Sequence, residues 1–202
     1  MSGWARNKPT SPIAGVEYSS VDVANPRDVK VGMGNARPDT VFHLAAMTQV
    51  GECSAEPERA MQVNRDAAKD VFLYMPATSR GVFISSCHVY GSPESLPIDE
   101  HHAVAPNNAY GRSKLEAERT IQNLGRDVVI IRPFHHTGPG QAPTFAVSDW
   151  ASQIKAGTGE LQVGNIDILR DYTDVRDVVR AYVVAAQLGV GGQVYNVCRG
   201  ES

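Results

Sequence analysis

Tyr110-Gly-Arg-Ser-Lys114 is the segment of this sequence richest in chemical possibility. If it is helical, a spacing of four puts the phenol and the ammonium on one face, one turn apart. An unperturbed tyrosine titrates near about pH 10 and is a poor acid or base at neutrality. A neighbouring ammonium favours the phenolate and brings that value toward the working pH. The same lysine can bond a ribose hydroxyl. Tyr-x-x-x-Lys alone arises by chance in many helices, so its surroundings decide its meaning. Upstream, Val82-Phe-Ile-Ser-Ser-Cys-His-Val-Tyr-Gly91 reads as a buried strand that ends abruptly in hydroxyls. Serines commonly end strands and begin turns. Placed at the carboxyl end of that strand, however, Ser86 would stand beside Tyr110 and could hydrogen-bond a carbonyl or alkoxide.

The elements that must position these groups alternate along the chain. Apolar runs of strand length lie at 16–23, 40–46, 81–86, 128–134 and 193–197. Short continuous runs rich in Val, Ile and Phe suit strands buried on both faces, as in a parallel sheet. Helical stretches fall at 56–75, 107–124, 145–156 and 175–188, with glycines Gly125, Gly157 and Gly189 as stops. Strand–helix alternation predicts an α/β fold: a doubly wound parallel, Rossmann-like sheet with right-handed crossovers. The loop 91–108, rich in Pro, Ser and His, joins a strand to a helix, and such sheets bind ligands at strand ends.

At 202 residues the chain can bury one good core. A net charge of −3 gives no basic footprint, so nucleic acid is not an expected partner. No apolar run reaches the roughly 20 residues that span a bilayer, so no membrane role is expected either. The first residues show no signal-peptide pattern. The three cysteines, Cys53, Cys87 and Cys198, have no metal-ligand spacing and read as free thiols in a reducing cytoplasm.

Five blocks occur in order: Phe42-His-Leu-Ala-Ala46; Ser85-Ser86 with Val89-Tyr-Gly91; Tyr110-Gly-Arg-Ser-Lys114; Arg132-Pro-Phe134 with Gly138-Pro-Gly140; and Arg170-Asp-Tyr-Thr-Asp174. With Tyr195-Asn-Val197 they resemble the extended short-chain dehydrogenases/reductases that epimerise, dehydrate or reduce nucleotide sugars. Arg132–Gln141, Val163–Asp167 and Asn196–Cys198 are most similar to the branch that reduces GDP-linked 4-keto-6-deoxy sugars. The resemblance implies NADP or NAD as cofactor and a nucleotide sugar as substrate. It makes Tyr110 the proton donor to the C4 oxygen, Ser86 the group that polarises it, and Lys114 the holder of the nicotinamide ribose. Leu44, Ala45 and Ala46 would line the pyrophosphate and ribose, with Pro133 also on the cofactor. Asp22 would meet the adenine, and Asn64 would lie toward the nicotinamide. Arg170 would pair with the substrate diphosphate, work suited to a forked guanidinium. Its alternative is a surface ion pair with Asp171 or Asp174.

The departures from the pattern are equally specific. Dehydratases of this family carry an acidic residue where this chain has His88, so dehydration is disfavoured. His135 replaces a common asparagine that helps hold the substrate; His88 and His135 are therefore both candidate substrate contacts. The glycine-rich dinucleotide turn is not found, because Gly32-Met-Gly-Asn-Ala-Arg37 lacks a third glycine and does not follow a strand. The expected organisation is a partial dinucleotide-binding domain over 1–142, part of a substrate lobe over 143–172, and a return to the first domain over 173–202. On this reading the chain opens around the family's third strand, leaving an interior sheet edge unpaired. A 4-epimerase and a non-catalytic binding protein are the alternatives; retention of Ser86, Tyr110 and Lys114 opposes the latter. The helices at 56–75 and 107–124 would pair in a homodimer.

Overall fold

The computed structural model describes residues 1–7, 9–157 and 159–201. Its centre is a parallel sheet in the order β3 (Thr40–His43), β4 (Arg80–Ile84), β5 (Val128–Pro133), β8 (Val194–Val197). Every residue of β5 is buried. Side chains alternate across the pleat and so divide the core in two. Phe83, Val128 and Ile130 face one layer with Val29, Met33, Val71, Phe72, Ala117 and Ile121. Those partners come from α1 (Pro26–Ala36), α4 (Ala67–Tyr74) and α5 (Ala109–Gln122). Val82, Ile84, Val129 and Ile131 face the other way, onto Val178 and Tyr182 of α7 (Val175–Leu188). Helices on both faces of a parallel sheet make the predicted Rossmann-like α/β architecture. Each large side chain so buried contributes roughly 1.5–3 kcal/mol relative to exposure.

The front of the chain differs from expectation. A strand, β1 (Ser2–Ala5), precedes the 16–23 run and pairs in parallel with β2 (Glu17–Ser20). The polar, glycine-containing start of the chain hid it. Gly32 and Gly34 lie inside α1, a helix capped by Asn25 and started by Pro26. Gly32 meets the Trp4 ring, where a Cβ would come within 2.8 Å, which explains the glycine without any phosphate. The β1–β2 pair is not hydrogen-bonded to the central sheet, and β3 forms an edge, as expected. Phe42 beside that edge is 39% exposed and Leu44 60%.

The helix predicted at 56–75 begins earlier and is interrupted. It comprises α2 (Val50–Ala55), a break at Glu56, α3 (Pro57–Met61), a π turn over Gln62–Asp66, and α4. Such turns often mark functional positions, and Asn64 sits on this one. Residues 143–172 contain α6 (Ala146–Ala156), which buries none of its residues. A small parallel pair, β6 (His135–Thr137) with β7 (Tyr172–Asp174), brackets that segment. No helix of the described residues is long and apolar enough to cross a membrane.

Candidate active site

β4 ends at Ile84, and the chain turns through Ser85 and Ser86 into a single 3-10 turn, Cys87–Val89. The Ser86 hydroxyl caps that turn, accepting the His88 N–H at 3.2 Å. The first turn of α5 packs directly on it. A Cβ at Gly111 would lie 2.4 Å from the His88 carbonyl oxygen, so only glycine at the second position of Tyr-Gly-Arg-Ser-Lys lets the two turns approach. Asn108 caps α5 by accepting the Gly111 N–H at 2.8 Å. This approach sets the Ser86 hydroxyl beside the Tyr110 phenol, where it favours the phenolate.

Lys114, one turn on, is 3% exposed. Its ammonium donates to the Ile84 carbonyl at 2.8 Å and lies 5.0 Å over the Phe83 ring. Burial pulls this amine down to about 8, with Glu118 opposing the shift. Tyr110 is pushed up to about 12, chiefly by burial, with the neighbouring Ser86 hydroxyl opposing. The expected lowering of the phenol by Lys114 is therefore not found, because that ammonium is engaged with the end of β4. The phenol keeps its proton at neutral pH.

A second group of residues faces the first. The His88 ring lies 5.4 Å from Tyr110, edge to face, and 5.9 Å from His135. His135 in turn lies 5.6 Å from Tyr172. Burial holds both imidazoles low, His135 at about 4, and the Arg170 guanidinium acts in the same direction on each. Arg170 is exposed and forms no ion pair among the described residues. Its alternative partners are engaged elsewhere: Asp174 holds Arg176, and Asp171 accepts the backbone N–H groups of Arg199 and Gly200. The Arg170 guanidinium makes one long bond, to the Leu169 carbonyl at 3.5 Å, and beside two neutral histidines it is a setting for an anionic ligand.

The other predicted contacts differ in availability. Leu44 is open to solvent and the neighbouring Ala45 is exposed, whereas Ala46 is half-buried. Asp22 is half-buried and accepts the Ala24 N–H at 3.0 Å. Pro133, at the end of β5, is fully within the sheet. Asn64 is completely buried. Its amide accepts the Met47 N–H and donates to the Met47 carbonyl and the Ser113 hydroxyl, at 2.8, 3.0 and 2.8 Å. Asn64 thus clamps the segment after β3 to α5, and both of its N–H donors are occupied.

Sequence reasoning missed the network beneath the site. Glu118 and Arg132 form a buried two-pronged pair, with Nε and Nη2 at 3.0 and 2.6 Å from the two carboxylate oxygens. Ser85 donates to the same carboxylate, Arg132 donates to the Tyr90 hydroxyl at 3.0 Å, and Tyr90 donates to Asn196 at 2.8 Å. Ser-Ser, Val-Tyr-Gly, Arg-Pro-Phe and Tyr-Asn-Val, separate blocks in the sequence, meet in this network. Their common signal was polar residues inside apolar strands.

The family model for the NAD dependent epimerase/dehydratase family matches residues 2–198. The GDP-6-deoxy-D-mannose reductase of Pseudomonas aeruginosa is 39% identical over 178 residues, which are 81% of this chain and 59% of that protein. A GDP-6-deoxy-D-talose 4-dehydrogenase of Aggregatibacter actinomycetemcomitans is 26% identical over 187 residues, 90% of this chain and 63% of that protein. The chain thus spans about six-tenths of the length of these relatives. The structure of RMD from Pseudomonas aeruginosa complexed with NADPH superposes with a TM-score of 0.83 at 34% identity, covering 92% of this chain and 68% of that one. The sheet, the motif blocks and these matches agree: the chain belongs to the NAD-dependent epimerase/dehydratase family.

Proposed function

We propose that this chain carries the substrate-reducing half of an NAD(P)-dependent reductase acting on a nucleotide-linked 4-keto-6-deoxy sugar, a GDP-sugar being favoured. The observation that carries this reading is the contact of Ser86 with a protonated Tyr110 at the end of β4, with Lys114 one turn behind. A neutral phenol is the acid that ketone reduction needs.

The residues present fit the nicotinamide-ribose half of the cofactor: Lys114 bonds one carbonyl and has further N–H donors for ribose hydroxyls. The bound nicotinamide would supply the hydride. Tyr110 would deliver a proton to the C4 oxygen, and Ser86 would orient and polarise that oxygen. Arg170 would hold the diphosphate, with His88 and His135 against the sugar. Asp22, Leu44, Ala45, Ala46 and Pro133 would line the rest of the cofactor, with Asn64 fixing the loop that follows β3. The similarity to a GDP-sugar reductase supports the choice of substrate class.

Homodimerisation through the helices at 50–74 and 109–122 accompanies this reading. Leu73 is the large apolar residue exposed on them among the described residues, so such a contact would be mainly polar. Sizing by light scattering tests it.

Calorimetric titration with NADPH and NADH, followed by nucleotide oxidation with GDP-4-keto-6-deoxymannose, tests the function. Micromolar cofactor binding and turnover abolished by Tyr110→Phe are expected. Absence of binding at millimolar cofactor would overturn the reading for this chain. Cofactor retained through turnover, without exchange, would turn it toward epimerisation.

A further inference from the structure

His88 occupies the position at which an acidic residue would point to dehydration, and its hydrogen bonds determine what it can do there. Its Nδ1 lies 3.2 Å from the Asn108 amide nitrogen. The orientation of that amide is set from outside the pair. Asn108 Oδ1 must face the Gly111 N–H, which has only a proton to offer, at 2.8 Å. The amide nitrogen meanwhile donates its other proton to Asn107 Oδ1 at 3.1 Å. Rotating the amide would set two donors against each other at Gly111 and two acceptors against each other at Asn107. The group facing His88 is therefore an N–H donor, and a nitrogen that accepts it carries no proton. In a neutral imidazole the proton must then sit on Nε2, which has no partner among the described residues.

From this geometry we propose that Asn108 is a positioning residue that holds His88 as a neutral imidazole protonated on Nε2, making it a hydrogen-bond donor to a substrate oxygen and not a proton-transferring acid. The donor role rests on the nucleotide-sugar reading above; the tautomer does not. The surroundings agree from each element packed against the ring. Tyr110 of α5 packs against the ring in a T-shaped contact, and His135 of β6 is a second neutral imidazole. Arg170, before β7, opposes a further positive charge. Cys87, on the same turn, is a half-buried thiol pushed up to about 11 chiefly by desolvation, so it supplies no anion. The Asp171 carboxylate acts on His135 and is engaged with the Arg199 and Gly200 N–H groups. A donor that stays neutral suits a keto or hydroxyl oxygen on the sugar, and its hydrogen-bonding capacity does not fade as pH rises.

Nitrogen-15 spectra of the histidine rings test this on the chain itself, because protonated and bare ring nitrogens have separate shifts. The wild type should show a bare Nδ1 and a protonated Nε2 for His88 at neutral pH. Asn108→Asp keeps the helix cap, since carboxylate and amide cap equally well, but puts an acceptor where the donor was. It should move the proton to Nδ1 or raise the His88 titration by about one unit or more. Asn108→Ser, which also caps, should release the preference without adding charge. A proton on Nδ1 in the wild type, or unchanged His88 signals in Asn108→Asp, would overturn the proposal. Adding GDP-mannose then separates the two readings. Shifts at both Arg170 and His88 Nε2–H support the donor role, and a shift at Arg170 alone overturns it. No shift at either would remove the nucleotide-sugar reading, and the donor role with it, while the Asn108 lock would stand on the tautomer data.

Discussion

Replacing Arg132 with methionine should be among the most damaging single changes in this chain, at about 3–5 kcal/mol. Arg132 is 5% exposed and Glu118 2%, so neither charge has water to fall back on. The fork satisfies both carboxylate oxygens, and the remaining arm supports Tyr90. In Arg132→Met the carboxylate keeps only the Ser85 hydroxyl, a neutral donor, against a charge whose counter-ion is gone. For a chain of about 200 residues that loss corresponds to a melting point lower by about 6–20 °C. Urea unfolding followed by circular dichroism would measure it, with the double variant Arg132→Met/Glu118→Leu as the control. Removing both members leaves neither half of the pair stranded, and Lys114, which loses the field of Glu118, can shed its proton, so the double variant should recover much of the loss. A single-variant cost below about 1 kcal/mol, the range of an exposed ion pair, would refute the reasoning. So would a double variant no more stable than the single.

Three further outcomes follow from the site and its surroundings. His43 is buried against Phe72 and Phe83, its Nε2 has no partner among the described residues, and burial, with Lys114 second, lowers it to about 3. Its neutral form is the folded one, so the unfolded chain takes up the proton first as pH falls below about 6.5. Stability should then decline by about 2 kcal/mol between pH 7 and pH 5, and urea midpoints of His43→Leu should lack that component; parallel profiles would count against it. Tyr110→Phe should leave the melting curve in place while lowering turnover of the cofactor-loaded enzyme about 10²–10⁴-fold, the usual worth of a general acid. Gly111→Ala drives a methyl group into the His88 carbonyl, and should cost about 1–3 kcal/mol in a thermal melt. It should also disturb the His88 ring signals, because the two turns must part.

The α/β fold was legible because strands buried on both faces must be apolar runs, and β4 and β5 are such runs. The helix over 175–188 was equally plain, and Val178 and Tyr182 turn to the sheet, while Val179 and Val184 on the same helix stay exposed. β1 was not legible: four residues including a glycine and a serine carry no periodicity, and the pairing with β2 alone makes them a strand. Gly32 and Gly34 were readable only as a rejected phosphate turn; both lie in α1, and the Trp4 ring accounts for the first of them.

At the site, residue types and spacing by themselves determined two candidates, a tyrosine and a lysine one turn apart and hydroxyls closing an apolar strand; Arg170 came only with the family resemblance. Their electrostatics came only with the tertiary structure. Spacing predicts an ammonium beside a phenol, yet the end of β4 holds Lys114 on a backbone carbonyl, and burial leaves Tyr110 an acid instead of a near-neutral base. The sequence likewise offered Asp171 and Asp174 as partners for Arg170, and the fold assigned them to other donors. Proton location depends on distances of a few ångströms between residues far apart in the chain, as with Asn108 and His88. No local pattern of residues encodes those distances; the packing of one turn on another sets them.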